Sequence, residues 1–349
     1  MVHMAKQWKL KALADIWTGD LNREGNSFKP TGLLGSIRWW YEVLVRGLGG
    51  KACDPTADGV RCPAGNKNPH EPGHHCVVCE LFGCTGWARK FRLVILDEND
   101  KVIQKQIRAG QTFTLRFIPL RPITSEEWCL LDATLRLIAE YGAIGGKTVF
   151  KPSDEQNRQN EHHHRDFGLV QYVKCPVGWQ CDKTLEDIRA YVTDNRWLTG
   201  FPDDNFSWAS LQNFWFVKGR YLTRIDPDNS SFNRVVGRNQ SKRCKRCNQV
   251  HLPGQRCPQT SRHERRYSDD DPPTQYGWLA GRQQESKKVF SFKHPGEGGR
   301  TFGFVKPGLV DFDEIKRRLG QVWPGFQPER EFQIGAQILT KLFEQEEGA

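Results

Sequence analysis

The sequence predicts an α+β protein assembled from two related halves, and three observations predict it. Amphipathic helical segments alternate with short apolar strands, the pattern of helices laid on one face of an antiparallel sheet. At 349 residues the chain is long for a single core. A glycine-rich phrase also occurs twice. Gly145-Gly146-Lys147-Thr148 leads to Phe167-Gly168-Leu169-Val170, and Gly298-Gly299-Arg300-Thr301 runs straight into Phe302-Gly303-Phe304-Val305. Two copies of one unit would account for both the length and the echo.

In chain order, Trp8 to Ile16 reads as the first strand. The segment TGLLGSIRWWYEVLVRGLGG at 31–50 reads as the first helix. Its Leu33, Ile37, Trp40, Tyr41, Leu44 and Leu48 recur at three- and four-residue steps, and Gly47, Gly49 and Gly50 end it. Glu42 and Arg46 stand four apart in the favourable order for an ion pair. Strands are expected at Lys90 to Leu96 and Thr112 to Ile118. A second helix starts after Thr124, where T-S-E-E supplies a cap and early acids, and breaks at Gly142. In the second half, Asn213 to Thr223, Lys288 to Lys293 and Thr301 to Lys306 read as strands. Asp311 to Val322 and Arg330 to Gln345 read as helices. Residues 151–166 read as a surface loop, and the run His162-His163-His164 within it as solvated.

Hydrophobic residues make up 37% and charged residues 26%, a soluble globular composition. No apolar run approaches the roughly eighteen residues a membrane helix needs, and the N-terminus lacks a signal-peptide pattern. A cytoplasmic location is expected. The net charge is +10, and its distribution is uneven. Residues 234–266 hold ten Lys or Arg and one acid, Glu264. Such a cluster is the footprint of phosphate binding.

Eleven cysteines in a cytoplasmic chain point to metal rather than disulfides. The first group is Cys53, Cys62, Cys76 and Cys79, where C-V-V-C supplies the two-residue knuckle of a tetrahedral site. Cys84, His70, His74 and His75 stand near as alternative ligands. The second group is Cys244, Cys247 and Cys257, with His251 or His263 as a fourth ligand; His263 completes C-x2-C-x9-C-x5-H, and this group lies inside the basic stretch. Four protein ligands leave no open position for water, so two structural zinc ions are expected. Cys129, Cys175 and Cys181 read as ordinary thiols.

Two motifs fail on inspection. The nucleotide loop needs a glycine separated by four residues from its final G-K-T, and that position is Tyr141. His164-Arg165-Asp166-Phe167-Gly168 fuses kinase motifs that must be separate elements. No nucleophile triad or carboxylate pair is present; Asp15 and Asp20 are the only acids to test for cleavage. The glycine loops survive as phosphate cradles, with Lys147 or Arg300 as the neutralising charge.

Taken together, TGLLGSIRWWYEVLVRGLGG, the C-V-V-C-E-L-F-G-C-T-G-W-A-R-K-F-R stretch at 76–92, and YGAIGGKT followed by RDFGLV resemble the RAMP superfamily of CRISPR effector subunits. The likeness is closest to the first RAMP subunit of the type III-B Cmr complex, covers 8–172 well, and reaches the second half only through GEGGRTFGFV. It implies two ferredoxin-like, RRM-like domains, placed at 4–172 and 173–349; the cysteine groups above give these zinc-stabilised insertions, at about 51–86 in the first and a basic one at about 233–273 in the second. It implies a non-catalytic RNA-binding subunit that holds the 3′ part of a guide RNA and meets single-stranded target RNA in antiviral defence, beside sister RAMP subunits. The alternative is a RAMP endoribonuclease. The expected RNA-contacting set is Arg38, Trp39, Arg46, Lys147, Thr148, Arg165, Arg282 and Arg300, with Lys242, Arg243, Lys245 and Arg246 in the basic insertion.

Overall fold

The computed structural model describes residues 4–344 except 20–24, 26, 55–60, 66, 147–151, 156–157, 159–160, 162–163, 202–205, 226–229, 238–241, 245–246, 248–256, 258–264, 268–274, 282–285 and 294–298. Side chains of 242–244, 265–267 and 275–277 also lie outside the description.

The first half runs β1 (Lys6–Ala12), α1 (Pro30–Gly47), α2 (Val77–Phe82), β2 (Phe91–Leu96), β3 (Thr112–Pro119), α3 (Ser125–Tyr141) and β4 (Val170–Lys174). Its four strands form one antiparallel sheet in the order β2-β3-β1-β4. After α4 (Leu185–Thr193), the second half runs β5 (Phe214–Lys218), α5 (Ser231–Val235), β6 (Lys242–Cys244), β7 (Arg265–Tyr267), α6 (Gln275–Ala280), β8 (Val289–Phe292) and β9 (Arg300–Phe304). It closes with α7 (Phe312–Val322), α8 (Pro328–Glu331), β10 (Phe332–Ile334) and α9 (Gly335–Phe343). The second sheet has the order β10-β5-β9-β8. In each half the fourth strand lies beside the first and the third beside the second. A helix follows the first and third strands. That is the ferredoxin-like βαββαβ arrangement, twice.

The halves are stacked in four layers. The helix-facing side of the first sheet buries Trp8, Leu10, Phe91, Phe113 and Phe117. Over it lie α1 and α3, and these helices meet the second sheet on their other side. Trp40 packs edge-on against Phe214 and Phe302, Trp39 against Phe304, and Tyr141 against Phe216. The second sheet is therefore buried on both faces, since Trp215, Val217 and Val289 meet α5 and α7 through Phe232, Val235, Ile315 and Leu319. A helix layer shared by two sheets explains the adjacent tryptophans: α1 has two walls to fill. Trp40 also donates from Nε1 to the Ala143 carbonyl at 2.8 Å, the partner a buried indole needs.

The expected elements recur with four corrections. The first strand ends at Ala12, and Ile16 only bridges Ile107. The strand expected over Asn213 to Thr223 is Phe214–Lys218. The helix expected over Arg330 to Gln345 is split by β10, because the second sheet needs its fourth strand there. The glycine echo does not mark equivalent places. Gly145-Gly146 precedes the fourth strand of the first half, whereas Gly299-Arg300 opens the third strand of the second. The repeat is real in topology, and the echoed letters fall on different strands of it. His164 is buried rather than solvated; His162 and His163 lie outside the described residues. Among the described residues, no helix is long and apolar enough to cross a membrane.

Candidate metal centre and nucleic-acid interface

The chain leaves α1 through Gly47–Gly50 and enters a stretch whose described residues form no helix or strand before α2. Cys53 and Cys62 come from that stretch, Cys76 caps α2, and Cys79 sits in its first turn. All four are buried, and their sulfur atoms lie within 4.8 Å of one another. Four thiolates around one zinc at ~2.3 Å would stand about 3.8 Å apart; Cys53 Sγ and Cys79 Sγ are 3.5 Å apart. The Cys76 amide donates to Cys62 Sγ at 3.2 Å, the kind of support that fixes a ligand's direction. These residues fit a closed, four-sulfur structural site.

Of the alternative ligands, His74 and His75 are engaged elsewhere. Nδ1 atoms of His74 and His75 face each other at 2.8 Å, and His75 Nε2 lies 2.6 Å from Glu80. Glu80 belongs in turn to a network with Lys90 and Glu127. Burial opposes the Glu80 carboxylate, but His75 and Lys90 hold its pKa down to about 2.

Arg38 completes the cluster from α1. Its Nη2 donates to Cys79 Sγ at 3.3 Å, Nη1 to the Gly83 carbonyl at 3.1 Å, and Nε to Glu42 at 3.0 Å. Burial alone would weaken its charge; Cys79, Glu42 and Cys53 outweigh that and raise its pKa. The neighbouring Cys79 is pulled down to about 4: Cys53 opposes its thiolate, while Cys62, Cys76 and Cys84 donate to it.

This geometry corrects the expectation that Arg38 and Arg46 face phosphate. Arg46 is buried and donates to the Ala209 and Ala52 carbonyls at 3.3 Å each, with Glu42 at 3.9 Å. Arg300 likewise turns inward, donating to the Ala139 and Gly142 carbonyls, and burial lowers its pKa to about 10. It lines a cleft of about 990 Å³ between the halves, with Arg136, Lys218 and Lys341. All three arginines answer carbonyls and acids of the layered core. Trp39 is half-buried between Trp40 and Phe304. Arg165 is exposed beside Asp15, 3.6 Å away.

Lys147, Thr148, Arg282, Lys245 and Arg246 lie outside the described residues, as do the side chains of Lys242 and Arg243. So do the Cys244 side chain and all of His263; of the second cysteine group, Cys247 is half-buried and Cys257 buried. Cys129 and Cys181, expected as ordinary thiols, are joined in a disulfide. Cys175 is an exposed free thiol.

The start of the glycine loop is described and is seated on α1. Gly145 donates its N–H to Ser36 Oγ at 3.0 Å, and Gly146 donates to the Trp17 carbonyl at 2.8 Å. Gly145 has φ +116°, and a Cβ there would lie 2.6 Å from the Trp17 oxygen. Only glycine fits. One residue before Ser36 on α1, Gly35 faces open space. Sequence reasoning found this loop through its glycines but had no signal for its partner, the Ser36 hydroxyl. Asp15, a candidate acid for cleavage, accepts from the Arg108 side chain at 3.0 Å and from the Ala109 amide at 2.9 Å. Asp20 lies outside the described residues.

Residues 9–150 match the family model of the RAMP superfamily. No curated protein matches the chain. Among solved structures, the chain is similar to Cmr1 from Pyrococcus furiosus in its apo form, at 9% identity and a TM-score of 0.42, over 98% of this chain and 97% of that one. It is also similar to a chain of the Type III-B Cmr-beta complex bound to cognate target RNA and AMPPnP, at 11% identity and a TM-score of 0.40, over 91% and 98%. The part of the chain similar to the RAMP superfamily model runs from within β1 through β2, β3, both covering helices, the cysteine site and the start of the glycine loop.

Proposed function

We propose that the protein is a non-catalytic RNA-binding subunit of a type III-B CRISPR effector, holding the 3′ part of the guide RNA and engaging single-stranded target RNA. The observation that carries this reading is the glycine loop clamped on the first turns of α1, within the RAMP-matching region. Gly145 and Gly146 bring backbone close to the α1 surface at Ser36 and leave Gly35 open beside them. Glycines there allow a phosphate to approach the main chain. Lys147 and Thr148 follow directly, and the exposed Arg165 is a further phosphate contact in this reading. Lys242, Arg243, Lys245, Arg246 and Arg282 extend the basic surface in the second half. Zinc in the Cys53–Cys62–Cys76–Cys79 site would hold the first insertion in shape, and a second zinc is proposed at Cys244, Cys247, Cys257 and His263. Asp15 is held by Arg108 and Ala109, and no described observation favours the nuclease alternative.

The test is a titration of end-labelled single-stranded RNA with the full chain at several salt concentrations, followed by sizing of the recovered RNA. Intact RNA bound with a slope of about −0.7 per neutralised phosphate is the expected result. Gly35→Glu should weaken binding without unfolding the chain, because its side chain enters open space on a helix. Shortened RNA would replace this reading with the nuclease.

A further inference from the structure

The first sheet is covered by helices on one side only; on the other, Leu96 and Thr114 are buried near the β2–β3 connection while Gln7, Lys9, Lys11 and Arg92 are exposed. Its helices are shared with the second sheet, so its opposite side is an outer surface of the molecule. None of its four strands contains an Asp or Glu: KQWKLKA, FRLVIL, TFTLRFIP and VQYVK. Strand alternation sends Trp8, Leu10 and Ala12 to the helices and Gln7, Lys9 and Lys11 outward. By register, Arg92 on β2 and Arg116 on β3 share that outer face. Arg116 pairs with Asp100 at 3.2 Å. Lys9, Lys11, Arg92 and Lys174 are exposed and make no ion pair with a described residue.

The register at the edge strand sharpens the point. Between Lys9 and Leu10 the β1–β4 pairing shifts, so that Leu10 faces Tyr172 but Lys9 faces Lys174 rather than Val173. The extra residue of this bulge re-aims a lysine onto a lysine. Like charges directly opposite on a ladder destabilise a sheet. An ordinary solvated face intersperses both signs; the strands of this one carry a single sign, offset by Asp100 at Arg116, and bring two of their charges together. What neutralises such a face is a polyanion.

We infer that the outer face of the first sheet, through Lys9, Lys11, Arg92 and Lys174, is a second track for the phosphate backbone of single-stranded RNA. The inference rests on the RNA-binding reading above and adds a surface which that reading does not use. The aromatic residues of these strands lie on the helix side or, like Tyr172, reach α3, where its hydroxyl donates to Asp132 at 2.6 Å. The face therefore offers charge without base-stacking platforms, and the contact is independent of base sequence. A protein partner is disfavoured because little apolar surface is offered: on this face Val94 and Ile118 are half-buried and Leu96 buried, and the only large exposed apolar side chain of these strands is Val173, in the bulge.

The experiment compares the full wild-type chain, the triple variant Lys9→Gln/Lys11→Gln/Lys174→Gln, and Gly35→Glu, with one single-stranded RNA across a salt series. Circular dichroism melting serves as the folding control. Loss of three phosphate contacts should flatten the log–log salt slope by about 2, equally for RNAs of different sequence, with melting unchanged or raised by removal of the Lys9–Lys174 repulsion. A triple variant with wild-type slope, beside a weakened Gly35→Glu, overturns the second track and leaves the RNA-binding reading standing. A wild-type chain that does not bind RNA even at low salt overturns both.

Discussion

Nη2 of Arg38 lies 3.3 Å from Sγ of Cys79, so the first helix donates a charged hydrogen bond to the cysteine cluster of the insertion that follows it. A site of four thiolates around a divalent ion carries two net negative charges, and this guanidinium lies against them out of water. The same arginine is held by Glu42 and the Gly83 carbonyl. Its position ties α1, α2 and the irregular stretch between them into one unit.

Removing one sulfur should therefore empty the site. Cys79→Ser is expected to lower bound zinc by about one equivalent per chain and to lower Tm, because binding energy at a structural site is folding energy. Elemental analysis of chain refolded with zinc measures the first effect. Arg38→Ala should retain the stoichiometry but lose metal faster to a chelator. Unchanged metal content in Cys79→Ser would sink the assignment.

Arg46 offers a test with a pH signature. Burial raises the Glu42 pKa above the usual carboxylate range, and Arg46, then Arg38, partly offset it. An acid with a raised folded pKa favours folding below its unfolded value and loses that contribution as pH rises through the folded value. Arg46→Ala removes the larger offset and raises that pKa further. The variant should lose about 3–5 kcal/mol near neutral pH, and less in acid where Glu42 is protonated. Denaturant melts at pH 5 and pH 8 would show it; equal losses at both would mean that lost packing, not charge, is responsible.

Much of this fold was legible because periodicity and caps are local. The T-S-E-E start of α3 proves to be a full capping box between Thr124 and Glu127, and C-V-V-C placed two thiolates on one turn. The same signal at Thr184 heads α4, which the reading passed over. What pattern could not reveal was which side of α1 meets solvent. Arg38, Glu42 and Arg46 lie opposite the apolar stripe, and a charged stripe ordinarily marks a wet face. Here the cysteine insertion and the chain leading into the second half cover that side: Arg38 meets Cys79 and Gly83, and Arg46 meets Ala52 and Ala209, long-range facts that local pattern does not carry. The position of β10 escaped for a similar reason: a three-residue strand is defined by its partner, not by its own letters.

Gly168 is fixed by close contact as well as by conformation. Its φ is +74°, and a Cβ would lie 1.8 Å from the Ile144 carbonyl oxygen. Ile144 in turn donates to the Gly168 carbonyl at 2.8 Å, which pins the glycine loop to the chain entering β4. Gly168→Ala should destabilise by about 2–4 kcal/mol, read from chemical denaturation. Gly35→Ala is the control, since open space and helical backbone predict a gain of roughly 0.5–1 kcal/mol.

The Cys129–Cys181 disulfide joins α3 to the segment leading into α4 across 52 residues of sequence. Closing a loop of that length restricts the unfolded chain, and such crosslinks typically contribute about 2–4 kcal/mol. Denaturation with and without reductant should differ by that amount in the wild-type chain and not at all in Cys129→Ala. Alkylation of native protein without reductant should leave Cys129 and Cys181 unlabelled while Cys175, exposed and free, reacts. The contrast also bears on the compartment in which the chain works. A reducing cytoplasm would open the bond and remove its contribution, leaving α4 held to α3 by packing and by the Lys183–Glu126 ion pair at 3.1 Å just before it. If reductant leaves the melt unchanged and both sulfurs alkylate, the pair acts only as a buried contact between the two helical segments.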